Sequence, residues 1–184
     1  MARKKSNPLD TPEWHALRHE VALVRHLLGS GVTALGRASY GSKIGEYYTA
    51  FFGISVGLER LSKLIQVADR AISNNGQMPG ERIIRGFGHK IVMLANVVET
   101  VTQKHRLKLT YPRPTYAISK KCLECLDAFA DANRGRYANF ATIDDPHLGV
   151  EEPLSKWWAE VAESIFKNTI TAKKSSSALR KWHR

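Results

Sequence analysis

The chain has 184 residues, of which 43% are hydrophobic and 24% charged, a composition ordinary for a globular protein with its own core. Its 28 lysines and arginines outnumber its 17 aspartates and glutamates, which gives a formal net charge of +11. This excess favours a polyanionic partner, most simply nucleic acid. No apolar run could span a bilayer, and no signal-peptide core follows the first residues. The sequence therefore predicts a cytoplasmic protein without a membrane partner.

A basic arm, residues 1–10, precedes the first predicted helix. Thr11 suits the N-cap of that helix, and Pro12 suits its first position. The helix is predicted to run to about Leu28. Its apolar residues recur on one stripe, which consists of Trp14, Leu17, Val21, Val24 and Leu28.

His15 and His19 are four residues apart in this helix, so both could reach one metal ion. No third ligand follows at a suitable spacing. An exposed helix face is the better interpretation, and we expect neither a metal nor another cofactor.

Residues 29–45 are rich in glycine and predict a connection without regular structure. The stretch from Gly36 to Lys43 approaches a P-loop pattern, but its lysine and hydroxyl residue are in the wrong order and no strand precedes it. The stretch therefore does not predict hydrolysis of a nucleoside triphosphate. A loop that carries Arg37 and Lys43 to RNA is the preferred interpretation.

The second predicted helix covers residues 46–73. Glu59 and Lys63 form an i, i+4 pair in the favourable order. The helix is predicted to stop at residues 74–76, Asn-Asn-Gly, which tolerate positive φ. Heptad-like steps predict its buried stripe, which consists of Phe51, Ile54, Leu58, Leu61, Ile65, Ala68 and Ile72.

Residues 79–102 contain a third amphipathic pattern that begins at Phe87 and predicts another helix. Pro79 and Glu81 suit a helix start, whereas two glycines just before His89 predict a kink or a second start there. Arg82, Arg85 and His89 then surround a helix N-terminus, which attracts anions through its backbone N–H groups. The alternative is a solvated basic face with no ligand.

The fourth predicted helix covers residues 119–133 and contains both cysteines, Cys122 and Cys125. With no second pair, these are predicted to be small core residues rather than a zinc or redox site. Residues 134–140 mix cations and aromatic side chains, which suits either RNA binding or helix packing. Pro153 opens the fifth helix, whose predicted inward residues are Leu154, Trp158, Val161, Ile165 and Thr169.

Five amphipathic stripes and no alternating strand pattern predict an all-α protein, a bundle of about five helices. We expect one domain over residues 11–170 and a basic flexible tail over residues 171–184.

The order of motifs resembles the HEPN superfamily of small helical domains. The resemblance covers roughly residues 46–140 and depends on the Leu-Glu-Arg-Leu-Ser-Lys-Leu run of residues 58–64, the Gly-His-Lys-Ile of residues 88–91, and the later Arg-Tyr-Ala-Asn-Phe of residues 136–140. The family signature is an Arg followed, after four to six residues, by a His. Six residues separate Arg82 from His89 and three separate Arg85 from it, so Arg82 fits the limit of the pattern.

The resemblance implies a metal-independent endoribonuclease that acts as a dimer in a toxin–antitoxin or phage-defence setting, with a possible antitoxin or defence partner. The catalytic candidates are Arg82, Arg85 and His89. The Gly-His pair is also similar to a non-nuclease branch of the family that works beside nucleotidyltransferases, so a non-catalytic subunit that binds RNA, a nucleotide or a protein stays the alternative. The candidates for nucleic-acid binding are Lys43, Arg60, Lys63, Lys90, Arg134, Arg136 and Tyr137.

Overall fold

The computed structural model describes residues 10–39, 41–131, 135, 137–147 and 152–167. The chain divides into two compact units, Met1–Pro112 and Arg113–Arg184. Across the described residues the regular structure is helical, apart from an isolated bridge between Ser39 and Lys43. The predicted all-α bundle is thus confirmed, while a single domain over residues 11–170 stays a prediction.

The described residues form four helices in the first unit and three in the second. In chain order they are α1 (Pro12–Arg37), α2 (Ile44–Ser73), α3 (Glu81–Gly86), α4 (Ile91–Lys104), α5 (Ala117–Ala130), α6 (Ala138–Asp144) and α7 (Pro153–Trp157). A π-helical turn, Trp158–Ala162, follows α7, and residues 163–167 continue as α-helix.

The helix α1 is longer than predicted, because residues 29–37 continue it instead of forming a loop. The reason is a close approach between α1 and α2. A Cβ atom at Gly31 would lie 2.9 Å from Ile54 Cγ1, and one at Gly53 would lie 2.9 Å from the Leu27 carbonyl oxygen. Glycine weakens an isolated helix by about 1 kcal/mol relative to alanine, but here its missing side chain lets the two backbones pack together.

The start of α1 is as predicted: the Thr11 side chain accepts a hydrogen bond from the Trp14 N–H, and Pro12 is the first helical residue. Its apolar stripe is only partly buried. Val24 is 4% exposed, whereas Trp14 and Val21 are 40% and 48% exposed. The contact face is therefore narrower than the sequence pattern suggested.

The helix α2 packs against both α1 and α4, so small residues such as Gly57 and Ser62 are buried on it. The predicted stripe is wrong at Leu61, Ala68 and Ile72, which are exposed. A helix with two packed neighbours does not follow one regular heptad seam. Its predicted end is confirmed, since Asn75 and Gly76 have φ values of 51° and 86°.

The second unit buries Cys125, Leu126 and Phe129 of α5 together with Leu154 and Val161. Cys125 is fully buried, which confirms the prediction of a core cysteine at this position, whereas Cys122 is half-buried. Burial raises the pKa of the Cys125 thiol to about 11. Pro153 begins α7 as predicted.

Two predictions for this unit need correction. Ile165 is exposed instead of buried, and residues 138–140 belong to α6 instead of a loop. Thr169 lies outside the described residues.

Candidate functional site

The site lies where α3 ends and α4 begins. After α3, Phe87 keeps a helical conformation, Gly88 turns the chain with φ of 78°, and Lys90 is the N-cap of α4. Only glycine adopts such a φ without strain. The predicted helix break before His89 is confirmed. It places Arg82 and Arg85 on α3 and His89 directly before α4.

This turn is held against the rest of the first unit. The Arg70 guanidinium of α2 lies over the Phe87 ring, 5.5 Å from its centroid, a distance suited to a cation–π contact. On the other side of the turn, Ile91 and Leu94 are 2% exposed. Anchors before and after His89 therefore position the turn on α2.

The two arginines of α3 differ in their contacts. Arg85 donates from Nη2 and Nε to Glu81 Oε1, at 2.7 Å and 3.1 Å. Arg82 is exposed, and its side chain makes no ion pair or hydrogen bond within the described part of the chain. The Arg82 guanidinium is therefore available to an external anion. Arg85 must break its ion pair with Glu81 before it can bind one.

His89 is exposed and directly precedes the N-cap of α4. Among the described residues, its imidazole has no hydrogen-bond partner. The first turn of α4 contains no acidic residue, and Lys90 makes no side-chain capping bond. The positive end of the helix dipole is thus not neutralised locally, which favours an anion beside His89. Of the three catalytic candidates, only His89 adjoins this end, because both arginines belong to α3.

Arg60 and Lys63, predicted to bind nucleic acid, are both paired with carboxylates. Arg60 Nη1 donates to Glu20 Oε2 at 2.6 Å, and Lys63 Nζ donates to Glu59 Oε1 at 2.7 Å. The latter contact confirms the predicted i, i+4 pair. Both cations border a cavity of about 400 Å³, whose other lining residues are Glu13, Ala16, Leu17, Glu20, Leu64, Val67, Met78, Pro79 and Ile84. Both cations therefore border an apolar cavity, and a carboxylate offsets the charge of each.

The other nucleic-acid candidates are dispersed. Lys43 is exposed at the N-cap of α2, and Lys90 is exposed beside His89. Tyr137 belongs to the second unit, where it is exposed and packs against Phe140 with ring centroids 6.1 Å apart. Arg134 and Arg136 lie outside the described residues.

An ion-pair cluster at the far end of α4 had no counterpart among the sequence predictions. Asp69 Oδ1 accepts from Lys104 Nζ at 2.6 Å and lies 2.8 Å from His105 Nε2. The hydrogen bond from Lys104, then the one from His105, lowers the pKa of Asp69 below its ordinary value. The cluster joins α4 to α2 and so supports the geometry of the turn at the opposite end.

A second cavity, beside α3, also had no counterpart among the sequence predictions. Its volume is about 370 Å³, and Arg70, Ser73, Asn74, Gln77, Pro79 and Ile83 line it. In the sequence, residues 74–76 predict only the end of a helix. The cavity places amide side chains next to the helix that carries Arg82.

Within the residues that the structure describes, no three side chains of His, Cys, Asp or Glu lie together in a way that could hold a metal ion. His15 lies 3.0 Å from Asp10 Oδ1. In the same residues, no helix combines the length and the apolar character needed to cross a membrane.

Comparison with known proteins found no match. No family model matches the chain, and neither the curated proteins nor the solved structures gave a match. A function must therefore be inferred from the residues and their geometry.

Proposed function

We propose that the protein is a metal-independent endoribonuclease of the HEPN type, which acts as a dimer in a toxin–antitoxin or phage-defence setting. His89 transfers the proton and Arg82 holds the phosphate. The observation that carries the proposal is that the side chains of Arg82 and His89 are exposed and have no partner among the described residues, on either side of a turn that Phe87 anchors to α2. Anchored backbone with free functional side chains is what recognition of an external anion requires.

The chemistry follows from the two side chains. The neutral imidazole of His89 removes the proton from a ribose 2′-OH, and the oxygen attacks the adjacent phosphorus. The bond to the 5′-oxygen breaks, and that oxygen takes a proton as it leaves. Histidine suits this task because it changes protonation near neutral pH. A guanidinium stays charged and can stabilise the extra negative charge on the phosphate oxygens.

Arg82 is preferred to Arg85 on the basis of contacts as well as spacing. The Arg85 and Glu81 side chains are 79% and 77% exposed, and a surface pair of this kind is weak. Even so, Glu81 offsets the charge of Arg85 where a phosphate would approach. Arg82 has no such competitor among the described residues, so it is the stronger phosphate ligand.

The dimer supplies a second histidine, since one His89 per chain provides only one group for two proton transfers. Met93 and Val97 of α4, one and two turns after His89, are 62% and 40% exposed. In the proposed dimer, a two-fold contact through this side of α4 buries Met93 and Val97 and brings the two copies of His89 together.

A second candidate is a non-catalytic subunit that binds RNA, a nucleotide, an antitoxin or a nucleotidyltransferase through the same surface. One observation favours it: within the described residues, no hydrogen bond orients the His89 ring. A catalytic base is usually oriented by a third group. In the nuclease, the bound RNA or the second copy must provide that orientation.

Incubating the purified protein with RNA in excess chelator separates the two candidates. The nuclease cleaves under these conditions, leaves products with a 2′,3′-cyclic phosphate, and spares DNA because DNA has no 2′-OH. His147→Ala is the matched control for His89→Ala, since His147 is also exposed but lies in the second unit. Absence of cleavage by the wild-type protein favours the binding subunit, and cleavage that chelator abolishes contradicts the metal-independent mechanism.

A further inference from the structure

We propose that the outward face of α1 is a second RNA-binding surface. The choice of RNA as the ligand rests on the proposed function. The surface itself rests on a separate set of residues, none of which belongs to the site around His89.

The surface is a continuous stripe along the helix. Its residues recur at steps of three and four, which places them on one face. All of them are exposed. We call this set the α1 basic stripe, and it consists of His15, Arg18, His19, Ala22, Arg25, His26 and Gly29.

The charges of α1 are segregated around its axis. Its two acidic residues, Glu13 and Glu20, line the apolar cavity on the side of α2, and Glu20 is held by Arg60. The buried residues Val24 and Gly31 mark the same contact side. Because 100° separates successive residues of a helix, the α1 basic stripe lies opposite that side. No acidic residue of α1 therefore lies on the stripe.

The cations of the stripe are available to an external partner. Arg18 and Arg25 make no ion pair or side-chain hydrogen bond within the described residues, and the same holds for the imidazoles of His19 and His26. His15 is the exception, because it lies 3.0 Å from Asp10. Solvated arginines with no internal carboxylate fit the phosphates of a polyanion.

The spacing suits a strand laid along the helix. Arg18 and Arg25 are seven residues apart, which corresponds to about 10 Å along the helix axis. They can therefore contact different phosphates of one strand. The small residue Ala22 between them leaves room for the backbone of the nucleic acid.

The test uses the full-length protein with His89→Ala, which in the proposed mechanism cannot cleave the probe. Its affinity for a fluorescent 20-nucleotide poly(U) is measured by anisotropy against salt concentration. Addition of Arg18→Gln and Arg25→Gln removes two phosphate contacts. For a single strand this reduces the slope of log affinity against log salt by about 1.4, or about 25-fold in affinity at 0.1 M relative to 1 M salt.

Ala22→Glu provides a variant that keeps the fold, because Glu is a good helix former and Ala22 is exposed. It places a carboxylate one turn from Arg18 and His26 and weakens RNA binding. Ala68→Glu, at an exposed position of α2, introduces the same charge elsewhere and has a smaller effect. Circular dichroism confirms that each variant is folded.

The proposal is overturned if the double arginine substitution leaves the salt slope unchanged, or if Ala22→Glu and Ala68→Glu have equal effects. It is also overturned if the stripe binds vesicles of phosphatidylglycerol but not RNA. If RNA binds through the stripe but the wild-type protein does not cleave it, only the nuclease is contradicted. If the stripe variants change neither RNA cleavage nor RNA binding, only the second surface is contradicted.

Discussion

The close packing of α1 on α2 makes a specific prediction for the glycines at their contact. In Gly53→Ala, the new Cβ would lie 2.9 Å from the Leu27 carbonyl oxygen and 3.2 Å from Gly31 Cα. Both neighbours are backbone atoms, so the helices must separate. Overpacking of this kind costs about 1–3 kcal/mol. We therefore expect the free energy of unfolding to fall despite the better helix propensity of alanine.

Gly29→Ala is the matched control. Gly29 is inside α1, and a Cβ there has no neighbour within 4 Å. The substitution should stabilise the protein by about 0.5–1 kcal/mol, because alanine is the better helix former. Both variants share this propensity gain, so the difference between them, about 1–3 kcal/mol, measures the steric cost alone.

Urea unfolding followed by circular dichroism at 222 nm measures both free energies. Gly53→Ala should unfold at a lower urea concentration than Gly29→Ala, with an unchanged dependence on urea. Equal stabilisation in the two variants would refute the close approach of α1 and α2 and the explanation for the extended α1.

Three further predictions use other parts of the chain. Lys104 and His105 lower the pKa of Asp69, so the stability that this cluster contributes should be present above the ordinary pKa of aspartate and be lost as pH falls through the lowered value. Asp69→Asn should remove this pH dependence of the free energy of unfolding, measured with urea at several pH values. An unchanged pH profile in Asp69→Asn would contradict the role of the cluster. Cys125, whose pKa is raised to about 11 by burial, should react with a thiol reagent at pH 8 only after unfolding, and prompt reaction in the folded protein would show that it is not buried. Deleting residues 173–184 should weaken the binding of RNA of every sequence and make the dependence of affinity on salt concentration shallower. An unaltered dependence on salt would mean that this basic tail does not contact RNA.

Signals that act locally were sufficient to predict much of the fold. Thr11 caps α1 through its own side chain, and the residues Asn75 and Gly76 stop α2 by adopting positive φ. Gly88 breaks the chain before His89 for the same reason. In each case the preference of one residue type decides the backbone, and no distant contact is involved.

Predictions failed where a tertiary contact reverses a local preference. Gly31 looks like a loop residue in the sequence, but its contact with α2 keeps it in a helix. Leu61 and Ile72 fit a heptad, yet α2 buries different residues because two helices pack on it. The sequence contained one usable clue, since Gly53 and Gly57 are four residues apart and both face α1.

The candidate site was predictable in part. The sequence predicts Arg82, Arg85 and His89 as candidates, and this stays a prediction. The ion pair between Glu81 and Arg85 was not predicted, although their i, i+4 spacing is typical of such pairs. The contact between Arg70 and Phe87 could not be inferred, because it joins residues 17 positions apart through the packing of α2.

The measurement that tests the central claim most directly is the single-turnover rate of RNA cleavage in excess chelator, compared between wild type, His89→Ala and His147→Ala. The proposed mechanism predicts a loss of about 10²–10⁴-fold for His89→Ala, with the folded state retained by circular dichroism and no loss for His147→Ala. Equal rates for wild type and folded His89→Ala would contradict proton transfer by His89 and, with it, the proposed nuclease.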